Sequence, residues 1–129
     1  MYKSFLVWAS ALGALAVLFG AFGAHKLKEL VPPETVSTFQ TGVTYQFYHV
    51  FALLAAGMLY AHIPGNQLVW AGRCFIIGTI LFSGSLYLLT VLKMTDTVGL
   101  KGVGIITPIG GLFFVAGWIF LLLSVLKIK

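Results

Sequence analysis

Gln40, Tyr45, Gln46, Tyr48 and His49 are the residues of this chain best suited to chemistry, and they sit in unusual company. Residues 35–72 around them contain no Asp, Glu, Lys or Arg. An imidazole can ligate iron, copper or zinc, and its charge changes near neutral pH. His49 could therefore titrate in a proton relay or a quinone pocket, or join His25 in holding a haem or transition metal. Gln40, Tyr45 and Gln46 could orient a small ligand there, with Ser83, Ser85, Tyr87 and Thr107 adding hydroxyls. Against metal ligation, the spacing of His25 and His49 matches no local metal motif, and the charge-free runs hold no carboxylate. His62 falls at the far end of the same segment as His49. Ser83 and Ser85 have no carboxylate-backed histidine, so a nucleophile–base–orienter set is missing. These residue types predict a polar pocket without an enzyme's constellation and without a bound cofactor or metal.

The elements that position them are set by an apolar solvent. The chain has 129 residues, of which 60% are hydrophobic and 9% charged; a soluble domain carries about 25% charged residues. Mean hydropathy is +1.03. Four runs, residues 4–24, 35–72, 74–92 and 102–126, lack every Asp, Glu, Lys and Arg. A spanning helix needs roughly 20 largely apolar residues. The second run also contains the turn signal Ile63-Pro64-Gly65-Asn66, so it holds one helix and the approach to the next. The expected fold is all-α: an integral membrane bundle of four transmembrane helices at about residues 4–24, 33–61, 68–92 and 103–126, forming one domain over 1–129. The first apolar run exceeds the roughly 7–15 residues of a signal peptide core, so it is read as a retained helix. Short links make consecutive helices antiparallel neighbours.

The net charge of +5 does not indicate nucleic acid. Lys3, Lys26, Lys28, Arg73, Lys93, Lys101, Lys127 and Lys129 are scattered at helix ends and form no basic face with interleaved aromatics. Contact with anionic lipid headgroups accounts for them. They divide equally between the two sides of the bundle, so the count of Lys and Arg gives no orientation. The lone Cys74 excludes an internal disulfide and a cysteine metal cluster; it reads as a small apolar residue of helix three. A multi-pass protein of the plasma (bacterial inner) membrane is expected, with the bilayer and either a second copy or another membrane protein as partners.

Periodicity assigns faces. In helix one, Ala9, Gly13, Ala16, Gly20 and Gly23 or Ala24 recur at three and four residues, a small-residue face for close helix contact. Pro33 suits the first turn of helix two, which is longer than a bilayer core and extends into the interface over residues 34–41. Gly42, Gln46, His49, Leu53, Ala56 and Gly57 share one stripe of that helix, with Tyr45 flanking it. Trp70 and Arg73 anchor the start of helix three. In helix four, Gly110, Gly117 and Ser124 repeat every seven residues, and residues 93–102 form a charged link before it.

Two readings of the polar stripe compete. Burial without a hydrogen-bond partner costs several kcal/mol, so the stripe reads first as a satisfied internal network in an accessory or scaffolding protein. The alternative is a pocket that binds or transports a small ligand, proton, quinone, haem or metal.

Four ordered blocks also carry a resemblance. Gly20-Ala21-Phe22-Gly23-Ala24-His25, then Phe39-Gln40-Thr41-Gly42-Val43-Thr44-Tyr45-Gln46-Phe47-Tyr48-His49, then Leu81-Phe82-Ser83-Gly84-Ser85-Leu86-Tyr87, and Ile106-Thr107-Pro108-Ile109-Gly110-Gly111 together resemble the domain-of-unknown-function-423 family. Its members are small bacterial inner-membrane proteins with relatives in eukaryotes, and they often have Gly where this chain has Lys26. The resemblance implies four transmembrane helices, no catalytic domain and a plasma or inner membrane location. It implies no biochemical role, but its blocks hold most of the polar residues named above.

Overall fold

Apolar runs in lipid can satisfy their backbone polar groups only within helices or closed barrels, and here the solution is helical throughout the described residues. The computed structural model describes residues 1–95 and 101–129; residues 96–100 of the charged link lie outside them. Helix α1 is Lys3–Ala24, followed by a 3-10 turn at Leu27–Glu29. Helix α2 is Pro33–Leu59, with Pro33 where a missing N–H is tolerated. Helix α3 is Asn66–Met94, interrupted by a π-helical segment at Thr79–Ser83. Helix α4 is Lys101–Val125, with Pro108 inside it. At 1.5 Å per residue each exceeds the roughly 30 Å of a hydrocarbon core.

The helices alternate in direction. Tyr2 at the start of α1 donates its N–H to the carbonyl of Gly57 near the end of α2 (2.9 Å), and Gly23 at the other end of α1 packs under Phe39 and Gln40. α1 lies mainly along α2, and α4 mainly along α3, while α2 crosses α3 at the centre. In consequence α2 is the most buried helix and α1 and α4 the least.

Small residues set these distances. Ala9, Ala16 and Gly23 of α1 are buried, and Gly13 and Gly20 face Val50 and Val43 of α2. In α4, Gly117 packs on the Phe75 ring and Gly110 on the main chain of Leu81 and Phe82. A Cβ on Gly110 would stand 2.4 Å from the Phe82 nitrogen, so the π segment touches α4 backbone to backbone. At the start of α3 the Arg73 guanidinium lies 5.1 Å from the Trp70 ring centre.

Candidate functional site

Gln46 is the central residue of α2 (Pro33–Leu59), and residues packed on its stripe, Leu12 on Gln46, Phe82 on Tyr45 and Phe114 on His49, are near the centres of the other helices. Leu12 is next to the middle of α1, Phe82 is near the middle of α3, and Phe114 is beside the middle of α4. The polar stripe therefore lies at mid-span, where water is absent and each polar group must find a partner inside the protein.

Gln46, 2% exposed, ties three helices. Its Nε2 donates to the Leu12 carbonyl of α1 (2.7 Å), and its Oε1 accepts from the Tyr87 hydroxyl of α3 (2.6 Å). One turn earlier, the Ser83 hydroxyl donates to the Gly42 carbonyl across 2.7 Å. Ser83 closes the π segment; the π turn re-aims the chain so that Ser83 meets α2 while Ser85 bonds the Thr107 hydroxyl of α4. Gly42 is where a side chain would collide with Tyr87, since its Cβ would lie 2.9 Å from that ring.

His49 faces the other way, toward α4. Its Nδ1 is 2.7 Å from the Tyr45 carbonyl. A carbonyl only accepts, so Nδ1 carries the proton and Nε2 holds the lone pair. That lone pair accepts the indole N–H of Trp118 at 3.1 Å. The ring also stacks on Phe114, with centroids 3.5 Å apart and planes inclined by 6°, and the Phe75 ring stands 5.7 Å away. Both nitrogens of this neutral tautomer are engaged, so ligation of a metal or haem iron would require breaking the bond to Trp118. An indole N–H is a donor only, which makes Trp118 no relay partner for a proton.

The nine sequence candidates are thus not brought into one pocket. Gln46 pairs with Tyr87, His49 with Trp118 and Ser85 with Thr107, while Ser83 bonds the Gly42 carbonyl on its own. His25 is exposed beyond the end of α1 and makes no side-chain hydrogen bond among the described residues. Gln40 is half-buried over Gly23 and likewise makes none. Tyr45 (39% exposed) and Tyr48 (57% exposed) stand on the lipid-facing flank of the stripe. Together with His49, Phe82, Phe114 and Trp118 they line a groove of 360 Å³ between α2 and α4. The sequence singles out neither Phe114 nor Trp118; Phe114 lies on the buried face of Gly110 and Gly117, but an apolar ring there does not announce a contact with His49. Among the described residues no three His, Cys, Asp or Glu side chains come together.

These features define a class: a multi-pass, four-helix integral membrane protein whose mid-span polar side chains bond helix to helix. The family model described as "Protein of unknown function (DUF423)" matches residues 19–111, and the chain belongs to that family. It is 38% identical to a UPF0382 membrane protein of Staphylococcus aureus over 125 residues, covering 97% of each chain. Against the UPF0382 membrane protein YwdK of Bacillus subtilis it is 35% identical over 126 residues, 97% of this chain and 98% of the relative. The UPF0382 inner membrane protein YgdD of Escherichia coli is 33% identical over 124 residues, 96% of this chain and 90% of its own length. None of these names carries an activity. No solved structure matches the chain.

Proposed function

We propose that this protein is an accessory or scaffolding element of the membrane, acting through helix contacts rather than by catalysis. The observation that carries the reading is Gln46: the most buried polar side chain of α2 spends both ends of its amide on neighbouring helices. His49 spends one ring nitrogen on the Tyr45 carbonyl of its own helix and the other on Trp118 of α4. Side chains consumed in packing are not available to a substrate. What α1 and α4 leave open is their outer surface, including Val7, Trp8 and Leu18 on α1 and Leu112, Ile119 and Leu122 on α4. A second copy or another membrane protein is the partner such faces serve.

Cysteine cross-linking in native membranes tests this, in a chain carrying Cys74→Ala. Leu18→Cys and Leu122→Cys place thiols on the two outer faces. The expected result is a discrete cross-linked product from at least one of them, whose mass tells a second copy from a different protein. Uncross-linked monomer from both positions would overturn the reading.

A further inference from the structure

We infer that the groove between α2 and α4 is a binding site for the headgroup of a lipid-soluble quinone. This goes beyond the scaffolding role and does not rest on it. Tyr45 and Tyr48 pack against each other with ring centroids 5.7 Å apart, and both line the groove. Their hydroxyls have no hydrogen-bond partner among the described residues. Tyrosines in membrane proteins concentrate at the two interfaces, where headgroups and water satisfy the hydroxyl. This pair flanks Gln46, the centre of α2, where neither is at hand. Two donors in hydrocarbon call for an acceptor that reaches the same depth.

The surroundings limit what can supply it. Tyr45 lies against Phe82 at 4.7 Å and is stacked over Phe114 at 6.4 Å, so the walls are aromatic faces suited to a flat ring. No lining residue of the groove is an acid or a Lys or Arg, which selects a neutral ligand. At 360 Å³ it falls within the size of small-molecule sites, about 300–1,000 Å³. Acyl chains have no acceptor, and phospholipid ester carbonyls lie at the edge of a core roughly 30 Å thick. A quinone combines a planar neutral ring, two carbonyl acceptors and an apolar tail that leaves the open side of the groove into the bilayer. Its donors here would be the two phenols, since the nitrogens of His49 are already engaged.

The probe is a short-tailed benzoquinone titrated into lipid nanodiscs holding the protein with Trp8→Phe and Trp70→Phe, so that fluorescence reports Trp118 alone. Saturable quenching is expected, reversed by a second quinone but not by the same tail without the ring. Tyr45→Phe with Tyr48→Phe should weaken binding by about tenfold or more, as the loss of two neutral hydrogen bonds implies, while the thermal unfolding midpoint stays within a few degrees. Val115 also lines the groove; Val115→Phe fills it without adding a second tryptophan to the reporter and should abolish saturation. Linear, unsaturable quenching identical in all variants would overturn the proposal. So would a dimer in native mass spectrometry that the two Tyr→Phe changes dissociate, because a second copy would then occupy the groove.

Discussion

The amide of Gln46 in α2 reaches the main-chain carbonyl of Leu12 in α1 at 2.7 Å, at the level where both helices are halfway through their length. Leu12 contributes nothing polar from its side chain. The contact joins a side chain that cannot remain unpaired in lipid to a backbone atom that any residue would offer.

The Gln46–Tyr87 bond is measurable as a coupling. Tyr87→Phe strands the Gln46 Oε1, and Gln46→Leu strands the Tyr87 hydroxyl. Each single change should lower unfolding stability in bicelles by about 0.6–1.7 kcal/mol, the range of interhelical hydrogen bonds in membranes. The double variant should lose about 0.6 kcal/mol less than the sum, because removing both partners leaves nothing unsatisfied.

His49 should be locked in one tautomer. Nitrogen-15 NMR of the protein in lipid should show a protonated Nδ1 and an unprotonated Nε2 hydrogen-bonded to the Trp118 indole. An Nε2–H resonance from this ring would contradict the geometry.

Glycines of the third and fourth blocks should separate sharply. Gly110→Ala drives a methyl into the main chain of Phe82, which cannot swing aside as a side chain can; the expected loss is about 1–3 kcal/mol. At Gly84 an added Cβ meets nothing within 4 Å, so Gly84→Ala should be neutral or stabilising by up to about 1 kcal/mol. Thermal unfolding in detergent compares the two.

Much of this arrangement is legible in the sequence, for definite reasons. Charge-free runs mark the spans because lipid tolerates few ions. The stripe of Gly42, Gln46, His49, Leu53, Ala56 and Gly57 is buried as its spacing implies, and Gly110, Gly117 and Ser124 face the interior together. What stays hidden follows from what side-chain patterns omit. The acceptors at Leu12, Gly42 and Tyr45 are backbone carbonyls, and every residue has one. The π segment at Thr79–Ser83 has no composition of its own, yet it sends Ser83 and Ser85 to different helices. His25 is adjacent to the small-residue face in sequence, but α1 ends at Ala24 and His25 stands exposed just beyond it.

That the buried polar side chains of α2 are held by bonds to other helices is tested by a double-mutant cycle on His49 and Trp118. His49→Phe keeps a ring against Phe114 and removes the acceptor, and Trp118→Phe removes the donor. Unfolding free energies measured in lipid should show a favourable coupling of about 1 kcal/mol between the two positions. Additivity of the two changes would contradict the account.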